Sequence, residues 1–156
     1  MQKHLIERDR STREADTRWL DLETLAMAEI TSEQPNQPIE LAFRPGEESG
    51  WRAGEPGVQV IRLIFHQPQR LSRIRLRFSE RNVERTQELV LRWAPDRSHP
   101  FQDIVRQQWV FSPQGSHLES EDYRVNLDAV GVLELIVNPD VAHGLAIASL
   151  DELRIA

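Results

Sequence analysis

Apolar residues in this chain recur at every second position, in short runs punctuated by proline, glycine and asparagine. Leu71 to Phe78 is the plainest case, with Ile74, Leu76 and Phe78 pointing one way and Arg73, Arg75 and Arg77 the other. A helix would scatter these residues around its axis, so the period of two predicts a strand. Arginines on its polar face recur every ~7 Å, twice the strand rise. Val58 to Phe65 also alternates, but both of its faces are mostly apolar. That pattern predicts a central strand buried on each side, ended by Pro68.

Nine stretches in all read as short strands. The others are Thr24 to Thr31, Ile39 to Phe43, Glu88 to Trp93, Ile104 to Phe111, His117 to Leu127, Val130 to Val137 and Leu145 to Ile155. Ile39 to Phe43 fits a helical turn as well as a strand. Arg44 to Gly57, rich in glycine and proline around Trp51, predicts a long structured loop. Many short strands with punctuated turns and no long helix predict an all-β antiparallel sandwich. Residues 1–18 are dense in charge and predict a loose arm or a marginal helix, with Trp19, Leu20 and Leu22 available to pin it down. Residues 19–156 then form one β-sandwich domain.

Composition narrows the chemistry. There is no cysteine, which excludes a disulfide framework and a cysteine zinc site. The net charge of −6 argues against a general nucleic-acid binder. No apolar run approaches the ~20 residues that span a bilayer, and the first residues lack a secretory pattern, so a cytoplasmic location and no membrane partner are expected. Lys3 is the single lysine among 19 basic residues; the rest are arginines, which suit planar contacts to carboxylates, phosphates or vicinal hydroxyls. A GC-rich coding bias would give the same composition. The Arg73, Arg75 and Arg77 row is either a solvated face paired with acids of neighbouring strands or a face that binds an anion or a partner.

No Gly-x-Ser-x-Gly elbow, His-Glu-x-x-His pair, Walker loop or Gly-x-Gly-x-x-Gly motif occurs. The five histidines lack metal-ligand spacing, and His66 and His99 read as loop residues. Glu119 and Glu121 share a strand face, an arrangement usual for solvated surface. No catalytic constellation is therefore expected. Trp93 and Trp109 alternate within strands and are expected in or near the core.

The order of these features resembles the discoidin, or coagulation-factor type C, family of galactose-binding-like jelly rolls, whose superfamily includes carbohydrate-binding modules. The residues that carry it are Ile30 to Glu33, Ala42 leading to Trp51, Val60 to Phe65, Leu71 to Leu76, Leu89 to Asp96, Val132 to Val137 and Ala148 to Ile155. The resemblance implies two facing sheets with recognition by loops at one end. It implies that Arg81, Asn82 and Arg85, in the stretch Ser79 to Thr86, donate to ring hydroxyls, although a wet hairpin loop would be polar as well. Arg52 and His143 complete the expected binding loops, and Trp51 is expected to be buried packing.

Relatives in this family hold a structural calcium beside the tryptophan loop, with ligands that include an aspartate before Trp and a glutamate of the closing strand. Glu152 matches that glutamate, whereas the aspartate region reads Arg44-Pro45-Gly46, with Glu47, Glu48 and Ser49 nearby. The expectation is therefore no cofactor and no metal, with the Arg44 guanidinium in the cation's place, paired with Glu152; a structural calcium is the alternative. A second resemblance, of Trp51-Arg52-Ala53 and Val58 to Phe65, is to the amino-terminal domain of a DNA single-strand-break repair scaffold. It implies protein partners such as a polymerase and perhaps nicked DNA, against which the acidity speaks. The expected function is a non-catalytic module binding a carbohydrate or small polar ligand. The alternative is an intracellular adaptor or scaffold domain using the Arg73, Arg75 and Arg77 face.

Overall fold

A computed structural model describes residues 17–46 and 50–156. Most of the expected arm, residues 1–16, lies outside them. The chain forms α1 (Leu22–Leu25), β1 (Ala26–Ile30), α2 (Glu40–Phe43), β2 (Trp51–Arg52), β3 (Gln59–Ser79), β4 (Arg85–Ala94), β5 (Gln102–Phe111), β6 (Leu118–Asn138), β7 (Ser149–Leu150) and β8 (Glu152–Ile155).

Two strands of 21 residues organise the antiparallel sandwich. The first half of β3 pairs with β1 and with the end of β6. Its second half pairs with the start of β6 and with β8. β4 joins the end of β6, and β5 joins β4 at the sheet edge. Between the two halves the β3–β6 register shifts, between Ile64 and Gln69 and twice more before Arg73. Extra residues at such bulges bend a strand, and here they fold both long strands over one core.

The bend also changes which alternate residues face inward. Ile61, Leu63 and Phe65 are buried before it, and Ile74, Leu76 and Phe78 after it. All six belong to one cluster with Leu89, Leu91, Leu133, Leu135, Leu153 and Ile155. Each such side chain contributes about 1.5–3 kcal/mol on leaving water. Pro68 does not end a strand, because it sits where ladder pairing is already interrupted. Likewise the stretches His117 to Leu127 and Val130 to Val137 merge into one strand, β6, which begins at Leu118. Ile39 to Phe43 resolves as the helical turn α2, and Thr24 begins in α1 before β1 starts at Ala26.

Two expectations about faces are corrected. The Val58, Val60, Arg62 and Ile64 face is not buried under another layer; Val58 is 51% exposed. It carries a row of alternating charge across four strands, Glu29, Arg62, Glu134 and Arg92, each in register with the next. Arg62 Nε donates to Glu134 at 2.5 Å and Arg92 Nε donates to it at 2.9 Å. The Arg73, Arg75 and Arg77 row does pair with acids of neighbouring strands, Arg73 with Asp122 and Arg77 with Glu152, but it is not the open, solvated face expected. Arg73 is 4% exposed and donates to Asp122 at 2.5 Å and to the Thr17 hydroxyl at 3.0 Å. Trp19 lies over it, with Arg73 Cζ 4.9 Å, Arg75 Cζ 5.7 Å and Arg154 Cζ 5.8 Å from the ring centroid. Leu20 N–H donates to the Ile155 carbonyl at 2.7 Å, so this tryptophan segment is pinned across the row.

Candidate functional site

The end of the sandwich where β3 passes to β4 carries a cleft of about 410 Å³, within the range of small-molecule sites. Three separate segments build it. The β3–β4 loop supplies Glu80, Asn82, Val83 and Glu84; the segment between β6 and β7 supplies Asp140, His143, Leu145, Ala146 and Ile147; β2 supplies Arg52.

Arg52 is placed by its neighbour. Trp51 is fully buried and its indole N–H donates to the Ser32 carbonyl at 3.0 Å, which fixes the β2–β7 ribbon. Gly50 precedes it at a point where a Cβ would lie 2.1 Å from the Leu150 carbonyl oxygen, so only glycine fits. With Trp51 inward, alternation turns the Arg52 side chain outward to the cleft. Beyond it, Ala53 N–H donates to the Ala148 carbonyl at 2.9 Å and Gly57 N–H to the Ala146 carbonyl at 3.2 Å, holding the far wall.

Asn82 and His143 are exposed on opposing loops. Asn82 N–H donates to Glu80 Oε2 at 3.2 Å, and Ala142 N–H donates to Asp140 Oδ1 at 3.0 Å. Aliphatic surface completes the cleft: Val83 is 52% and Leu145 85% exposed. The combination is a guanidinium, an amide, an imidazole and carboxylates against apolar walls. Such a set can exchange several hydrogen bonds with a hydroxyl-rich ligand.

Of the residues expected to bind, the fold thus brings Arg52, Asn82 and His143 together. Arg81 is exposed but not in this lining; its charge acts on Asp151, whose pKa burial raises while the Ser79 hydrogen bond and the charges of Arg77 and Arg81 oppose the rise. Arg85 is not a loop residue. It begins β4 and is 3% exposed, with Nε on Glu80 at 2.8 Å and Nη1 on the Pro139 carbonyl at 2.6 Å. Glu80, Glu84, Asp140 and the aliphatic residues 145–147 were not anticipated. The sequence predicts a strand from Leu145, and only the preceding Gly144 signals the turn that the structure has there.

The calcium expectation has a clear geometric test. Glu152 is bound by Arg77 at 3.1 Å and lies 3.2 Å from Arg154. Among the described residues two guanidinium groups rather than oxygen donors face its carboxylate, which does not fit a calcium ion; Glu47, Glu48 and Ser49 lie outside the described residues. A guanidinium does stand beside Glu152, but it is not that of Arg44, which pairs with Glu23 at 2.9 Å. Arg77 takes that place because it lies directly across the β3–β8 ladder from Glu152. Among the described residues no group of three or more potential ligands could hold a metal. No helix among them is long and apolar enough to cross a membrane.

No protein-family model matches the chain, nor does any curated protein. Solved structures do share its fold. CpGH89CBM32-5 from Clostridium perfringens, in complex with GalNAc-β-1,3-galactose, aligns with TM-score 0.64 at 17% identity, over 88% of this chain and 99% of that one. The CBM32 of AlyQ, in complex with 4,5-unsaturated mannuronic acid, aligns with TM-score 0.60 at 15% identity, over 90% and 98%. The family 32 CBM of C. perfringens NanJ, in complex with galactose, aligns with TM-score 0.56 at 12% identity, over 88% and 96%. The chain therefore has the galactose-binding-like jelly-roll fold.

Proposed function

We propose that this chain is a non-catalytic carbohydrate-binding module that takes its ligand in the loop-end cleft. The observation that carries the reading is the convergence of Arg52, Asn82 and His143, far apart in sequence, on one cleft with aliphatic walls. Sugars present alternating hydroxyls and apolar C–H faces. The polar groups here match the first and Val83 and Leu145 the second. Three structural neighbours are complexes with GalNAc-β-1,3-galactose, an unsaturated mannuronic acid and galactose, and this supports a saccharide as the ligand class.

Two of the three acids in the lining are already engaged, which supports binding rather than turnover. Glu80 is committed to Arg85 and Asp140 to the Ala142 amide.

A glycan array, followed by titration of the best-bound glycan against Arg52→Ala, Asn82→Ala and His143→Ala, tests the proposal. Each substitution is expected to weaken binding about tenfold or more, the cost of a hydrogen bond to a polar or charged group. Each should leave the melting temperature within about 2 °C, because exposed positions contribute little to stability. Undiminished binding in all three variants would place the ligand elsewhere.

A further inference from the structure

We infer that Arg85 is a positioning residue, through which one buried guanidinium fixes both walls of the cleft at once. Its purpose rests on the carbohydrate reading above; its geometry does not. The Arg85 side chain is 1% exposed and its Cζ sits 4.8 Å from the Phe111 ring centroid. Nε donates to Glu80 Oε1 at 2.8 Å, while Nη1 donates to the Pro139 carbonyl at 2.6 Å and to Gln87 Oε1 at 2.7 Å.

These partners belong to different walls. Glu80 lies in the β3–β4 loop, and its second oxygen accepts the Asn82 N–H at 3.2 Å. A continuous chain thus runs from guanidinium to carboxylate to the backbone of a cleft residue. Pro139 opens the other loop and leads directly into Asp140 and His143. Two residues after Pro139, Val141 N–H donates to the carbonyl of Thr86, the residue after Arg85, at 2.9 Å. Among the described residues no backbone hydrogen bond runs directly between the two loops, and the start of β4 links them.

Only arginine has the shape for this task. Its planar fork addresses a carboxylate on one side and a carbonyl on the other, whereas a lysine ammonium is a compact charge on a flexible stem. Burial makes the arrangement binding in both directions: an unpaired charge there is strongly unfavourable, so Glu80 and Arg85 hold each other in place. Loss of the guanidinium releases the Asn82 wall and the His143 wall together.

The test compares amide hydrogen exchange of the ligand-free protein with that of Arg85→Met and Arg85→Lys, alongside titration with galactose. Exchange at Asn82 and Val141 is expected to accelerate at least tenfold in both variants, beyond any change at Leu89 and Leu135, which report global opening. Galactose affinity is expected to fall at least tenfold in parallel, with Lys no better than Met. Acceleration at only one of the two walls, or at neither, would overturn the assignment, as would acceleration no greater than in the core. Wild-type protein that ignores galactose while both walls still loosen would contradict galactose as the ligand and leave the positioning role standing. Should Arg85→Met fail to fold, Glu80→Gln, which keeps an acceptor but removes the charge, must loosen Asn82 and Val141 together for the assignment to survive.

Discussion

Glu119 carries a carboxyl with an unusual proton affinity. Burial first, and the adjacent Glu121 second, push its pKa up to about 7. The two acids lie on one face of β6, opposite Phe78 and Leu76 of β3. Gln107 of β5 donates to Glu121 at 2.7 Å, and the Tyr123 hydroxyl donates to Gln107 at 2.5 Å. The folded protein therefore holds a proton between pH 4.5 and 7 that the unfolded chain releases. Stability from this group is fully present below pH 4.5 and is lost as pH rises through 7. The site is partly open to solvent, so the effect is discounted to about 1 kcal/mol, or a melting-temperature change of about 2–4 °C. Glu119→Gln is expected to raise the melting temperature by about that amount at pH 8 and to leave it unchanged at pH 5. An equal effect at both pH values, followed by calorimetry, would contradict a retained proton. Other residues show how far side-chain roles can be read from sequence. The buried Trp51 and the core-packed Trp93 and Trp109 were expected. Glu119 was not, because i,i+2 acids on a strand look like ordinary surface until the facing strand is known. Arg85 was misplaced for a related reason: Arg85 and Gln87 occupy the inward phase of β4, and polar residues there hide the alternation until Leu89.

Among the elements, strand pairing decides what the sequence left open. Glu152 matches a family metal ligand in type, but its environment is set by the strand across from it. β8 aligns with the second half of β3, which puts Arg77 and Glu152 opposite each other. Two guanidinium groups beside that carboxylate do the work a cation would do. Exhaustive chelation with EDTA is therefore expected to leave the melting temperature within about 1 °C, whereas a structural calcium would contribute by mass action and its removal would lower it visibly. A calcium-dependent melting temperature would refute the pairing account. Element boundaries were legible where alternation was clean, as over Leu71 to Phe78. They failed at Pro68, because proline normally ends a ladder, yet a bulge tolerates it and lets one strand serve two layers. The Arg73, Arg75 and Arg77 row was legible as a polar face. That Trp19 covers it was not, since a lone aromatic before the first strand carries no periodic signal of its partner.

At the scale of the whole molecule, a sandwich built from two bent strands gathers its connections at the ends. The same bends that close the core leave the β3–β4 and β6–β7 connections side by side, with the β2–β7 ribbon beneath them. The proposed recognition at the rim rests on this layout: the interior is filled by apolar side chains, and the charges on the outer face of the larger sheet pair with one another. The fold was legible because period-two burial runs through the long strands between Gln59 and Asn138. Arg52, Asn82 and His143 were legible only through a resemblance, and their meeting in one cleft required the loops to be placed. The account stands or falls on where a sugar touches the protein. Chemical-shift mapping of the isotope-labelled chain with galactose and N-acetylgalactosamine measures this directly. The expected result is saturable shifts confined to Arg52, Asn82, Val83, His143 and Leu145 and their neighbours. Shifts centred on the Glu29–Arg62–Glu134–Arg92 face, or none with either sugar or with uronic acids, would contradict it.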